Sequence, residues 1–147
     1  MSEAKQIDPR GPRFGAGITA GFAICGILFF DSDWRFSWSI LWILFALFTW
    51  SVFLRGVTHP YAFIFQKFVR PRLAPPKELE DSRPPYFAQQ VGLSFASIGV
   101  ISGFVFPAGL LIASSFIFIA AFLNAFFDYC LGCQVYLGLR RLGLLRK

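Results

Sequence analysis

The sequence predicts an all-α integral membrane protein: a four-helix bundle of two duplicated helical hairpins, with a short interfacial amphipathic helix. Of its 147 residues, 56% are hydrophobic, 19% aromatic and only 15% charged. A soluble domain averages about 25% charged residues and has no interior large enough for this much apolar surface. Four apolar stretches approach the roughly 20 residues that a helix needs to cross a bilayer core. We therefore expect a single membrane domain over residues 1–147.

The first two predicted spans, about 14–30 and 37–54, form a hairpin. The first contains Gly17 and Gly21, one helical turn apart, and such small residues allow a second helix to pack closely. Trp34 and Trp38 stand near the turn between the spans, where aromatic side chains favour the membrane interface. We expect these two spans to be joined by a short turn on one side of the membrane.

The central segment, 55–85, is predicted to remain on the other side, in the cytoplasm. Within it, residues 61–69 place most of their apolar side chains on one helical face and their basic side chains opposite, which predicts an amphipathic helix in the head-group region. The apolar face is predicted to consist of Tyr61, Ala62, Ile64, Phe65, Phe68 and Val69. Residues 71–85 contain several prolines and mixed charges, so we expect an extended, solvated linker.

The second hairpin is predicted from the spans at about 86–106 and 110–129. Apart from Arg35, every Lys and Arg lies in the N-terminal, central or C-terminal segment. Positive charge of this kind is retained in the cytoplasm, so both termini of this multi-pass protein are expected there. The expected counter-charge of these basic segments is the anionic head groups of the lipid bilayer, not nucleic acid.

The two hairpins show an internal repeat. Asp8-Pro-Arg10-Gly-Pro12-Arg-Phe14 aligns with Asp81-Ser-Arg83-Pro-Pro85-Tyr-Phe87 at a spacing of 73. A duplication predicts that the first and third spans pack near the bundle centre through their glycines. At the same spacing Val57 is the counterpart of Cys130, so a cysteine site would belong to the second hairpin alone. Convergence of two membrane-entry segments on Pro and Arg is the alternative.

Cys130 and Cys133 form a C-x-x-C pair after the fourth span. Such a pair suits thiol exchange, disulfide formation or metal binding; the alternative is two small residues that merely pack. The C-terminal end of a long helix disfavours a thiolate, although Gly132 could break the helix and Arg140 and Arg141 could supply positive charge. Too few further ligands are available for a zinc site, because Cys25 lies too deep and His59 reads as an ordinary interfacial residue. No metal or cofactor is therefore predicted.

Asn124 and Asp128 lie one turn apart on the fourth span. Polar groups at membrane depth are costly unless they are paired. We expect Asp128 to pair with a membrane-entry arginine such as Arg10 or Arg83, which would make those arginines structural clamps.

Four motifs together resemble a bacterial membrane family known as domain of unknown function 4395. They are the Asp8–Phe14 and Arg83–Gln89 entry segments, Phe68-Val-Arg-Pro-Arg-Leu73 and Cys130-Leu-Gly-Cys133-Gln-Val-Tyr136. The resemblance implies a four-span inner-membrane protein with the cysteine pair as a family feature. It also implies a thioredoxin-like or rhodanese-type protein as a partner. Tyr86 and Gln134 depart from the basic and acidic residues expected at those positions.

Two functions from different classes remain open. In the first, Cys130 and Cys133 carry out thiol redox or sulfur transfer with a soluble protein, supported by Arg140 and Arg141. In the second, the chain is a non-catalytic structural subunit of a larger membrane complex, or a homodimer. A phosphate-binding loop, a metalloprotease motif and a nucleophile elbow are all missing from the sequence, which therefore leaves enzymatic activity undecided.

Overall fold

The computed structural model describes residues 5–54 and 59–145. Most of these residues are helical and only four lie in strands, which confirms the all-α prediction. Six α-helices are present in these residues, together with one π-helical turn, one 3-10 turn and two strands of two residues each. In chain order they are β1 (Gln6–Ile7), α1 (Arg10–Leu28), α2 (Trp34–Phe53), α3 (Pro60–Ile64), the π-turn (Phe65–Val69), the 3-10 turn (Arg70–Arg72), β2 (Glu80–Asp81), α4 (Arg83–Ser102), α5 (Ala108–Phe127) and α6 (Leu131–Arg141).

Three of the described helices, α1, α2 and α5, are long and apolar enough to cross a membrane. The fourth long helix, α4, has the same length as α2 and α5, but Gln89 and Gln90 lower its hydropathy. Helices α1 and α4, which carry the two membrane-entry motifs, begin earlier than predicted, at Arg10 and Arg83. Proline is tolerated within the first helical turn. These helices agree with the membrane protein that the composition predicts.

The four long helices form a ring in which α1 packs against α2 and α5, and α4 packs against the same two helices. The expectation that the first and third spans meet at the centre is wrong, because α1 and α4 lie on a diagonal with few contacts. The buried core instead comes largely from α2 and α5, through residues such as Leu41, Leu44 and Leu110. Gly17 of α1 faces α5, and Gly99 of α4 faces α2 and α5. Nothing lies within 4 Å of the Cβ position of Gly21.

The glycine contacts repeat between the two hairpins. A Cβ placed on Gly26 would stand 3.7 Å from both Ile40 and Ser114. A Cβ placed on Gly99 would stand 2.7 Å from Ala113 and 3.0 Å from Leu41. The two contacts involve equivalent positions at the spacing of 73: Gly26 corresponds to Gly99, Ile40 to Ala113 and Leu41 to Ser114. The close packing therefore follows the same pseudo-two-fold arrangement as the sequence repeat.

Polar contacts at the helix starts repeat as well. The backbone N–H of Arg10 donates to Asp8 over 3.0 Å, and that of Arg83 donates to Asp81 over 2.9 Å. Each guanidinium also bonds its own aspartate, so the two motifs have the same local structure. Hydrogen bonds from Arg10 hold the pKa of the Asp8 carboxyl below its ordinary value. Each arginine is thus paired with the aspartate of its own motif.

A third pair of contacts links neighbouring helices of the two hairpins. Arg13 Nη2 donates to the Ala125 carbonyl over 3.4 Å, and the Tyr86 hydroxyl donates to the Val52 carbonyl over 3.0 Å. The two donors are 73 residues apart, and so are the two acceptors. This recurrence in three dimensions supports duplication over chance convergence of two entry segments.

The predicted linker is extended but anchored. Strand β1 pairs antiparallel with β2, and Ser82 N–H donates to the Lys5 carbonyl. Arg10 Nη2 also donates to the Ala74 carbonyl over 3.0 Å. These bonds hold the segment before α4 against the start of α1.

The predicted amphipathic helix is present over residues 60–72, although it is not one regular helix. Phe65 is buried, and Tyr61, Ala62 and Val69 are half-buried against the bundle. Ile64 and Phe68, expected on the same face, are exposed together with Phe63. The π-turn at residues 65–69 shifts the helical phase, since its hydrogen bonds span five residues rather than four.

Candidate functional site

Helix α5 ends at Asp128, which adopts the left-handed conformation with φ 56° and ψ 27°. The N–H groups of Asp128 and Tyr129 both bond the Leu123 carbonyl, as at many helix C-termini. Glycine or asparagine is the usual residue at such an end, and aspartate also adopts this conformation. The helix therefore stops at Asp128, and Gly132, the residue that the sequence singled out as the helix breaker, has another role.

Cys130 begins a new helix. It is the N-cap of α6, with φ −82° and ψ 102°, and its Sγ accepts the backbone N–H of Cys133 over 3.2 Å. Its carbonyl accepts the N–H of Gln134 over 3.0 Å. The prediction that the cysteines stand at a helix C-terminal end is therefore wrong, because Asp128 to Cys130 separate two helices. The N-terminal end of a helix stabilises a thiolate through its free N–H groups and its dipole.

Cys130 and Cys133 lie at disulfide-bonding distance. Their Cα atoms are 5.1 Å apart, within the usual range for a disulfide, and both residues are half-buried. Two thiols at this distance can form a disulfide, so the pair can hold the two electrons of a dithiol–disulfide couple.

Gly132 positions the pair against α4. A Cβ on Gly132 would stand 2.5 Å from the Ala88 Cβ and 2.6 Å from its Cα, so only glycine allows this approach. One turn further along α6, the Tyr136 ring lies 5.7 Å from the Phe87 ring. The start of α6 therefore packs directly on the first turns of α4.

Arg140 and Arg141 lie far from the cysteines. They form the last turn of α6, seven or more residues beyond Cys133, which at helical rise is about 10 Å. Because the chain continues as a helix instead of turning back, these side chains stabilise the C-terminal end of α6. The helix N-terminus supplies the electrostatic support that the sequence assigned to the arginines.

Asp128 pairs with Arg13, not with Arg10 or Arg83. The Arg13 Nε lies 3.5 Å from the Asp128 carboxylate, and both side chains are more than one-third exposed, so the pair contributes at most about 1 kcal/mol. Arg10 and Arg83 are held by Asp8 and Asp81 instead. Asn124 is half-buried on α5, and the left-handed turn removes Asp128 from the regular helical face that the sequence assigned to both.

His59 has a structural role at the other short helix. Its Nδ1 accepts the N–H of Tyr61 over 3.3 Å, and its Nε2 donates to the Leu47 carbonyl over 3.1 Å. His59 is thus the N-cap of α3, as Cys130 is the N-cap of α6.

Val57, which the strict repeat spacing aligns with Cys130, lies outside the described residues. Among residues 5–54 and 59–145, no group of three or more His, Cys, Asp or Glu side chains could hold a metal ion.

The hydrogen bonds by which His59 caps α3 and contacts α2 are expected to weaken in mild acid. Burial lowers the pKa of His59 below its ordinary value of 6.5, against the opposing effect of the hydrogen bond to Leu47. The stabilisation from neutral His59 is therefore complete above about pH 6.5 and is lost as the pH falls toward the folded-state pKa.

The test compares thermal unfolding midpoints in detergent between pH 7 and pH 5. His59→Asn retains a side-chain acceptor for the cap and does not titrate, so its midpoint should fall less than that of the wild type. Equal falls for both proteins would assign the acid sensitivity to the carboxylates alone.

Membrane-capable helices and a cysteine pair that caps a surface helix define a helical membrane protein with a candidate dithiol site. The chain belongs to the family described as Domain of unknown function (DUF4395), whose family-wide sequence pattern matches residues 7–141. The match confirms the resemblance seen in the sequence, and it includes both entry motifs and all of α6. No curated protein and no solved structure matches this chain.

Proposed function

We propose that this protein is a membrane thiol–disulfide exchange protein in which Cys130 and Cys133 alternate between a disulfide and a dithiol. The observation that carries the proposal is the position of Cys130 at the N-terminus of α6, with its sulfur on the Cys133 N–H. A buried packing residue needs neither a helix N-cap position nor a second cysteine within bonding distance.

The exchange proceeds through a mixed disulfide. A thiolate of a dithiol partner attacks Cys130 Sγ, the bond between Cys130 and Cys133 breaks, and Cys133 leaves as a thiolate that takes up a proton. The second partner thiolate then attacks the first partner sulfur and releases Cys130 as a thiolate, which the N-terminus of α6 stabilises. Two electrons pass from the partner to the cysteine pair, and the reverse sequence returns them.

The same pair fits sulfur transfer from a rhodanese-type partner. The Cys130 thiolate attacks the outer sulfur of a partner persulfide and releases the partner thiolate. Cys133 then attacks the resulting Cys130 persulfide, forming the disulfide and releasing hydrosulfide. A thioredoxin-like protein would then reduce the disulfide, so both partner classes act on one site.

The proposed location is the bacterial plasma membrane, with α4 as the fourth span and both termini in the cytoplasm. One end of the bundle brings together the N-terminal ends of α1 and α4, residues 60–72 and α6. The opposite turn carries Arg35 beside Asp31 and Asp33. Positive charge favours the cytoplasmic side, where a disulfide is usually catalytic or redox-sensing instead of structural.

In a Cys25→Ala background, we expect Cys133→Ser to accumulate a mixed disulfide through Cys130, because the resolving thiol is missing. Cys130→Ser should accumulate much less. Cells are quenched in acid, alkylated with a mass-tagged maleimide and analysed before and after an oxidant or thiosulfate challenge. In the Cys25→Ala protein itself, the pair should shift between the oxidised and reduced states.

A pair that remains in one state under every challenge, with no mixed disulfide in Cys133→Ser, would contradict the exchange function. The second candidate, a non-catalytic subunit of a larger membrane complex or a homodimer, would then become the working assignment. Size measurement in mild detergent separates those two assemblies.

A further inference from the structure

A groove of about 560 Å³ runs along the outside of the bundle between α1, α5 and the π-turn. At its end, beside the starts of the entry helices, lie Arg10 and Arg13. Its apolar walls come from Phe14, Ile18, Phe65 and Phe126. We call this feature the α1–α5 groove; it is separate from the α6–α4 contact that holds the cysteines.

The groove combines a cationic end with an apolar track. Ile18 is five residues beyond Arg13, about 7.5 Å further along α1. Between them, a Cβ on Gly17 would meet only the Ala125 methyl group, at 3.9 Å, so the floor is open where a larger residue would fill it. A ligand that fits both parts has an anionic head and a hydrocarbon tail.

Arg13 has hydrogen-bonding capacity to spare. Its contacts to the Ala125 carbonyl, 3.4 Å, and to Asp128, 3.5 Å, are longer than ordinary hydrogen bonds and engage two of its five N–H donors. Arg70 adds a third positive charge near the groove, within electrostatic reach of Asp8. Arg10, Arg13 and Arg70 outnumber the two nearby carboxylates, Asp8 and Asp128.

The second hairpin shows that a cation is not needed for the structural contact. Tyr86, the counterpart of Arg13, makes the equivalent bond to a helix carbonyl without a charge. Gln90 is the counterpart of Gly17, where the first hairpin leaves the floor open. The first hairpin thus differs from its duplicate at both positions that an anionic amphiphile needs.

We propose that the α1–α5 groove binds one anionic phospholipid. Its phosphate accepts hydrogen bonds from Arg13 and Arg10, and one acyl chain lies over Gly17 and against Ile18. The site does not depend on the thiol function, and none of the residues that line it belongs to α4 or α6.

The test is native mass spectrometry of delipidated protein in detergent with added phosphatidylglycerol or phosphatidylcholine. The wild type should retain phosphatidylglycerol preferentially. Arg13→Tyr, which copies the residue of the second hairpin, keeps the helix contact but loses the charge, and should retain phosphatidylglycerol about tenfold more weakly. Gly17→Leu should lose retention of both lipids, because the new side chain fills the acyl track.

Two matched controls isolate the groove. Gly21→Leu changes a glycine one turn further along α1 with nothing within 4 Å, and Arg35→Gln removes a charge at the opposite end. Both should retain lipid as the wild type does, and thermal unfolding midpoints establish that every variant is folded.

Three results would overturn the proposal. They are equal retention of the two lipids by the wild type, unchanged phosphatidylglycerol retention in Arg13→Tyr, and unchanged retention in Gly17→Leu. Glycerol 1-phosphate is added as a competitor: displacement of the lipid at comparable concentrations would show a free-phosphate site and likewise overturn the lipid assignment.

Discussion

Replacing Gly132 with leucine is expected to separate α6 from α4 and to expose both cysteines. The new side chain would overlap the backbone of Ala88, whose Cα lies 2.6 Å from the Cβ position, and a helix backbone cannot move aside as a flexible side chain can. Overpacking of this kind typically costs about 1–3 kcal/mol. Each 1–2 kcal/mol raises the population of undocked α6 by a factor of about 5–30.

The measurement is the rate at which maleimide labels the reduced pair in a Cys25→Ala background. Gly132→Leu should label faster by at least that factor of about 5–30. Gly132→Ala should also accelerate labelling. Ala88→Gly in the same chain should reverse only part of the effect, because it removes the opposing methyl group but leaves the Cα of residue 88 at 2.6 Å. The matched control is Gly138→Ala, on the same helix with nothing within 4 Å. Wild-type labelling rates in Gly132→Ala would show that the contact does not hold α6 in place.

The second large effect is expected from Gly99→Leu, which should destabilise the whole bundle. Gly99 is buried where α4 crosses α2 and α5, with Ala113 2.7 Å and Leu41 3.0 Å from its Cβ position. A leucine there would push two neighbouring helices apart, at a cost of about 1–3 kcal/mol or more. We expect a marked fall in the thermal unfolding midpoint in detergent.

Two glycines of α1 serve as controls for Gly99. Gly21→Leu should leave the midpoint unchanged, since nothing lies within 4 Å of that position. Gly26→Ala should be tolerated, because its neighbours stand at an ordinary contact distance of 3.7 Å, whereas Gly99→Ala should be destabilising. If Gly99→Leu and Gly21→Leu unfolded at the same temperature, the ring arrangement of the four helices would be incorrect.

Much of the architecture was accessible from local patterns in the chain. Composition and hydropathy identify apolar helices, and the basic segments all come together at one end of the bundle. The contacts of Arg13 and Tyr86, found only in the structure, follow the same spacing of 73 that the sequence shows between Asp8 and Asp81. The helices, the basic segments and the repeat are predictable because they depend on each residue's own chemistry and on its distance along the chain.

The neighbours of each helix were not accessible in the same way. Gly17 correctly indicated close helix packing, but the predicted partner, the third span, was wrong, because the helix next to Gly17 is α5. Likewise, the charge of Asp128 predicted an arginine partner but not Arg13. A small or charged residue specifies a type of contact, whereas the ring order of the helices determines which residue supplies it.

The same distinction applies to the cysteine pair. From the sequence alone came the all-α membrane fold, the duplication, and two thiols three residues apart beside a basic segment. Only the tertiary structure decided that Cys130 caps a helix, because this requires α5 to end at the left-handed Asp128 and Gly132 to let α6 dock on Ala88. A thiolate is stabilised at the N-terminal end of a helix and destabilised at the C-terminal end. The break between α5 and α6 therefore decides whether the helix dipole stabilises the Cys130 thiolate.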